Sequence, residues 1–275
     1  MFAIKLLLAL SLLLVAILTF FLAISRVDPL PAAWNPAPER QGIYAANAAL
    51  QRVEKIGVGF FSGAEDLAVD QEGRIYSVPN SMSLIAGLES RPNGRILKFD
   101  PSSRTTSVLL KDLYFPNGVA LSRDENYLVF CETSKARCRK YWLRGEKMGS
   151  IENFLDNLPA FPDNIHINAD GNFWIALVSD RLWHIELISN SPLLKKLVSH
   201  LVPFLPDESL QSAKVLAVDP DGRPLEFFED PTGKEMAFVT AALQVGDHLY
   251  LGNLAKSYIG RIKLSSREKG TRFSI

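Results

Sequence analysis

The chain opens on an unbroken apolar run. Leu6 to Ile24 is 19 residues without a charge, interrupted only by Ser11 and Thr19 and bracketed by Lys5 and Arg26. As a helix it would be about 28 Å long, close to the hydrocarbon thickness of a bilayer. A secretory signal has a shorter apolar core, about 7–15 residues, and a small-x-small cleavage site. The 19-residue run exceeds that core, so residues 1–25 are expected to form an uncleaved signal anchor, a transmembrane helix, rather than a cleaved signal. One charge on each side leaves the positive-inside rule with nothing to weigh. The body is then expected to follow the anchor, to the lumenal side of the endoplasmic reticulum or vacuole or to the cell exterior. Residues 26–59 read as a Pro-rich spacer and lead-in: Pro29, Pro31, Pro36 and Pro38 favour extended chain, and Trp34 suits the membrane interface.

After residue 60 the period changes from helical to twofold. Short apolar alternations are closed by turn residues, and three stretches share one order: polar residue, alternating strand, acidic turn, second strand. They are Glu65-Asp66-Leu67-Ala68-Val69 leading to Ile75-Tyr76, Asn117-Gly118-Val119-Ala120-Leu121 leading to Tyr127-Leu128, and Asp163-Asn164-Ile165-His166-Ile167 leading to Phe173-Trp174. Gly73 and Gly171 stand where a hairpin needs positive φ. Second hairpins follow, Gly94–Asp100 into Thr105–Leu110 and Cys138–Leu143 into Ser150–Leu155. A third unit runs from Asp163 through Trp183–Leu187 to a second pair at Lys214–Asp219 and Leu225–Phe228, and a fourth starts near Phe238. Four strands per repeat of about 45–50 residues predict an all-β fold, a β-propeller, over residues 60–275. Between Pro192 and Leu210, leucines and valines at i, i+3, i+4 spacing predict one inserted amphipathic helix, either a lid on the core or a second contact with the membrane.

Composition narrows the function classes. With 30 basic and 30 acidic side chains the chain has no electrostatic footprint for a phosphate backbone, so no nucleic-acid partner is expected. At 47% hydrophobic residues it is too apolar for a disordered tail. Two cysteines exclude a disulfide-dense scaffold; Cys131 and Cys138 flank a hairpin-sized gap and are either a possible disulfide or two separate thiols. No Cys/His cluster, Gly-x-Ser-x-Gly elbow or phosphate-binding glycine loop occurs.

In a ring of blades, equivalent positions at the start of each innermost strand face one axis. Glu65, Asn117 and Asp163 hold that position in successive units, with Asn164 beside the last. Carboxylate and amide oxygens converging in this way suit a hard cation, Ca2+, which takes six to eight oxygens. The same side chains could instead cap their strands or bond the next blade. His166 is the nearest candidate base, although a regular strand would turn positions 163 and 166 to opposite faces.

Phe115-Pro116-Asn117-Gly118-Val119, Tyr141-Trp142-Leu143-Arg144-Gly145-Glu146-Lys147 and Phe161-Pro162-Asp163-Asn164-Ile165 resemble the strictosidine synthase-like family, which is related to the adipocyte plasma membrane-associated protein. The resemblance implies a six-bladed propeller with a central pocket for a small-molecule substrate, distantly akin to calcium-dependent paraoxonases and lactonases. Six blades would need about 290 residues, whereas residues 60–264 hold about four blade-like units. The shortfall is expected at residues 77–92, where a first-blade inner hairpin runs into what resembles a third-blade outer one. The four units are expected to close poorly or stay an open arc.

The alkaloid-forming members condense an amine with an aldehyde through a glutamate in the stretch before the last blade. Here that stretch, Phe238–Gln244, has no acid, and Glu235 lies upstream. The pattern therefore suits metal-assisted ester or lactone hydrolysis better, with two alternatives: a non-catalytic isoform or binding propeller, and the condensation itself.

Overall fold

The computed structural model describes residues 2–25, 29–31, 36–56, 64–69, 75–79, 88–100, 105–200, 212–254 and 256–264. They fall into two compact units, one of residues 1–35, 82–116 and 181–209 and the other of residues 36–81, 117–180 and 210–275.

The larger unit is a series of antiparallel sheets. Strands β6 (Pro116–Leu121), β7 (Tyr127–Glu132), β8 (Arg137–Trp142) and β9 (Ile151–Leu155) form one four-stranded sheet in chain order. The next, also in chain order, is β10 (Ala160–Ile167), β11 (Phe173–Asp180), β12 (Ala213–Val218) and β13 (Pro224–Asp230). The third joins the two ends of the chain. β14 (Val239–Val245), β15 (His248–Asn253) and β16 (Ile259–Lys263) receive their fourth strand from β1 (Glu54–Ile56), with Glu54 opposite Arg261 and Ile56 opposite Ile259. Part of the 26–59 lead-in therefore completes the last blade, and Leu50, just before β1, is fully buried in the core.

These are propeller blades because both faces of their inner strands are covered. Along β11, Phe173, Ile175 and Leu177 join one buried cluster with Val129, Phe154 and Ile165. The alternate residues Trp174 and Ala176 join another with Val215, Val239 and Leu251. The twofold period thus fills the gaps on either side of one blade. Each fully buried Leu, Ile, Val or Phe contributes about 1.5–3 kcal/mol. β2 (Ala64–Val69) and β3 (Ile75–Pro79) form a two-stranded sheet, and β2 packs on β14 and β15. The large unit therefore holds four inner hairpins in series, three with complete blades.

β4 (Gly94–Asp100) and β5 (Thr105–Leu113) form a two-stranded sheet in the smaller unit. That unit also holds the helices α1 (Phe2–Ile24), α2 (Trp183–Ser189) and α3 (Pro192–Ser199). Here the structure departs from the twofold reading of Trp183–Leu187, because Trp183 and Leu187 are spaced i, i+4 and share one face of α2. α3 is the first part of the amphipathic helix expected over 192–210; Ser191 caps it by accepting the Leu194 N–H, and Pro192 opens its first turn. Residues 201–211, and residues 80–87 of the 77–92 junction, lie outside the described residues.

Candidate functional site

The inner strands break their pairing at one recurring place. On β2, Ala64 pairs with Pro79 and Asp66 with Val78, leaving Glu65 extra. On β10, Pro162 pairs with Leu177 and Ile165 with Ile175, so Asp163 and Asn164 together oppose one residue. On β14, Val239 pairs with Asn253 and Ala241 with Gly252, leaving Thr240 extra. A one-residue bulge re-aims the side chain it carries and bends the strand. The repeat position in the sequence is thus a bulge in the fold, and three inner strands carry it.

Asp163 is fully buried, and Asn117 and Asn164 are half-buried. Gly118 brings their strands together: a Cβ there would stand 2.5 Å from the Asn164 Cα and 2.4 Å from the Ile165 amide nitrogen. The Thr133 hydroxyl donates to the Pro162 carbonyl at 2.7 Å, fixing the chain just before the bulge. Glu65 lies on β2, and its side chain is outside the described residues. Asn117, Asp163 and Asn164 are therefore gathered where β6 meets β10. In kind the donors fit a hard cation, one buried carboxylate with amide oxygens on adjacent strands. In number they are short of a shell: among the described residues no group of three or more His, Cys, Asp or Glu converges.

His166 lies opposite Trp174, on the face packed toward the last blade, three residues past Asp163 or about 10 Å by strand rise. Because the bulge intervenes, the regular alternation expected to separate positions 163 and 166 does not hold. Thr240, fully buried, occupies in β14 the bulge that Asp163 occupies in β10. Glu235 is turned away to the surface, where its carboxylate meets the Lys55 ammonium at 2.6 Å and that hydrogen bond raises the Lys55 pKa. Cys131 and Cys138, directly opposite on β7 and β8, are joined as a disulfide.

A charged chain that sequence reasoning passed over lies in the β10–β13 blade. Lys214, buried in an otherwise apolar strand, pairs with Asp180 at 2.6 Å and sits across from Glu229, which in turn binds Arg40. Burial pushes the Glu229 carboxyl up, and the Lys214 and Arg40 charges, which pull the other way, do not outweigh it. The available signal was the lone lysine in Ala-Lys-Val-Leu-Ala-Val.

A cleft of about 540 Å3 opens at the other end of the inner strands, among Asn168, Asn172, Trp174, Gln244, Asp247 and Lys263. Its polar groups are mutually engaged: the Gln244 side-chain oxygen accepts from Asn168 and from the Trp174 indole, each at 2.8 Å. Five residues separate Asn168 from Asp163, roughly 15 Å of strand, so this cleft is distinct from the bulge positions.

Two family descriptions match the chain, "Strictosidine synthase" over residues 65–146 and "Strictosidine synthase-like, N-terminal" over residues 42–77. The chain belongs to the strictosidine synthase-like family. Strictosidine synthase-like 4 of Arabidopsis thaliana is 41% identical over 178 residues, covering 64% of this chain and 46% of the relative. The adipocyte plasma membrane-associated protein of Salmo salar is 32% identical over 229 residues, 77% of this chain and 54% of that protein. The chain thus spans about half the length of the curated relatives it matches. Among solved structures, a gluconolactonase of Xanthomonas campestris superposes with a TM-score of 0.41 at 14% identity, over 72% of this chain and 56% of that one.

Proposed function

We propose that this strictosidine synthase-like chain hydrolyses small esters or lactones at the bulged ends of its inner strands. It would be held to a membrane by α1, whose Lys5–Ile24 segment is 20 residues long and apolar enough to cross one. The observation that carries the chemistry is the contrast between Asp163 and Thr240 at corresponding bulges. An acid sits at the β10 bulge, and none sits at the β14 bulge or leading into it, since Glu235 is tied to Lys55 at the surface. Condensing an amine with an aldehyde needs a proton carrier there; hydrolysis does not.

In this reading Glu65, Asn117, Asp163 and Asn164 hold Ca2+, which when bound would polarise the carbonyl of the scissile bond. Asp163 is the anionic anchor of the set. Gly118 keeps β6 close to the bulge that carries it. His166, about 10 Å further along β10, is the candidate base for an attacking water.

The test is turnover of an aryl-ester and lactone panel by the full chain in detergent, with calcium and with chelator. Calcium-dependent hydrolysis is expected, lost in Asp163→Ala and lowered about 100-fold or more in His166→Ala. Silence from folded protein across the panel would favour the second reading, a binding propeller. That alternative is favoured by β2–β3, which among the described residues of the larger unit is a two-stranded sheet where the other inner hairpins belong to four-stranded ones.

A further inference from the structure

We propose that α2 and α3 lie in the headgroup region of the bilayer that α1 crosses, as a lipid-facing paddle beside the span. This goes beyond the hydrolase reading and rests only on α1 being inserted. Its first support is depth. At the C-cap of α3, His200 Nε2 lies 2.8 Å from the carbonyl oxygen of Phe21, and the two rings are 5.2 Å apart. Phe21 is in the last turn of α1, where carbonyls have no partner within the helix. His200 engages one of them, so α3 ends beside the final turn of the apolar span, about 5 Å from its tip.

The second support is the direction of the side chains. A helix in water turns polar residues outward and buries apolar ones. Here the order is reversed. On α2, Trp183 is 76% exposed and Leu187 56%, one turn apart on the same face. Glu186 instead reaches the Arg181 guanidinium at 3.0 Å, and the Arg181 side chain is itself fully buried. On α3, Leu193 is 54% exposed, whereas Lys195 is 1% exposed and donates its ammonium to the Leu30 carbonyl at 2.7 Å and the Ser90 hydroxyl at 2.9 Å. Lys195 faces in, Glu186 is drawn to the buried Arg181, and a tryptophan and two leucines face out.

Because α2 packs on α3 and α3 on α1, that outward apolar surface is carried beside the helix that would meet lipid. A bilayer interface is the environment in which a tryptophan with leucines beside it is at its lowest free energy, inserted about 5–10 Å below the headgroups.

The experiment uses the full chain in phosphatidylcholine vesicles. Both native cysteines are joined to each other, so Leu187→Cys and Leu193→Cys, each at an exposed site, take an environment-sensitive dye selectively. Blue-shifted emission is expected, with at least about twofold quenching by lipid carrying a shallow nitroxide. In a Trp34→Phe background, brominated lipid should quench tryptophan emission, and adding Trp183→Phe should remove most of that quenching. Water-like, unquenched emission from variants that melt as wild type would overturn the paddle. Alkaline carbonate extraction of the same vesicles separates the failures: a chain retained but unquenched refutes the paddle alone, and a chain released refutes the anchor and the paddle together. Neither result bears on hydrolysis.

Discussion

Replacing Gly118 with alanine is expected to push β6 off β10 and to lower stability by about 1–3 kcal/mol, the usual cost of overpacking. The added Cβ would stand 2.4 Å from the Ile165 amide nitrogen, 2.5 Å from the Asn164 Cα and 2.7 Å from its carbonyl carbon. Ordinary carbon contacts begin near 3.5 Å, so the strands must part by about 1 Å. All three atoms are backbone, and no rotamer change relieves the clash. At roughly 2–4 °C per kcal/mol for a domain of this size, the melting temperature should fall by about 2–12 °C. Gly171→Ala is the matched control. There φ is +88°, but the nearest atoms, on the Arg123 side chain, are 4.0 Å away, so only backbone strain of about 1 kcal/mol is added. Melts followed by near-ultraviolet circular dichroism in detergent compare the two. A Gly118→Ala protein melting within a degree of wild type would mean that β6 and β10 do not meet at this point, and the gathering of Asn117 with Asp163 and Asn164 would fall with it.

Three further outcomes follow from the larger unit. Removing the disulfide with Cys131→Ser and Cys138→Ser, seven residues apart, should cost about 2–3 kcal/mol on the chain-entropy relation, read as a melting shift that reductant reproduces in the wild type. Glu125 occupies the turn position held by Gly171 in the next blade and adopts φ of +54°. Glu125→Gly should therefore stabilise by roughly 0.5 kcal/mol or more, since its exposed pair with Arg144 contributes little; a lower melting temperature would refute that. Burial works to raise the Asp230 carboxyl, but hydrogen bonds from Thr232, Met236, Glu235 and Gln51 outweigh it and hold the pKa below the usual carboxylate value. Its stabilisation is present above about pH 4 and lost as pH falls through the folded value, so Asp230→Asn should flatten stability against pH in that acid window.

What the residues disclosed followed their periodicity. Twofold alternation is visible in any strand, so the hairpins at 117–128, 163–174 and 248–264 could be read directly, and Gly171 marked its turn. Pairings distant in sequence could not. Glu54-Lys55-Ile56 is too short to announce a strand and becomes one only because β16 offers an edge. Trp183–Ser189 mixes apolar and polar residues in a way that fits either period, and its helix is decided by packing on α3. At the site, Glu65, Asn117 and Asp163 could be aligned as a repeat position, but the bulge that gives the position its meaning is a property of pairing. The Lys214 network was missed because Arg40, Asp180 and Glu229 are brought to it from three separate stretches of chain.

The central claim is that the β6–β10 junction, anchored by Asp163, holds a hard cation, and calorimetric titration of the full chain with Ca2+ in detergent tests it most directly. One saturable ion per chain is predicted, abolished in Asp163→Ala and unchanged in His166→Ala. Absence of saturable binding to folded wild-type protein, or binding that survives Asp163→Ala, would contradict it.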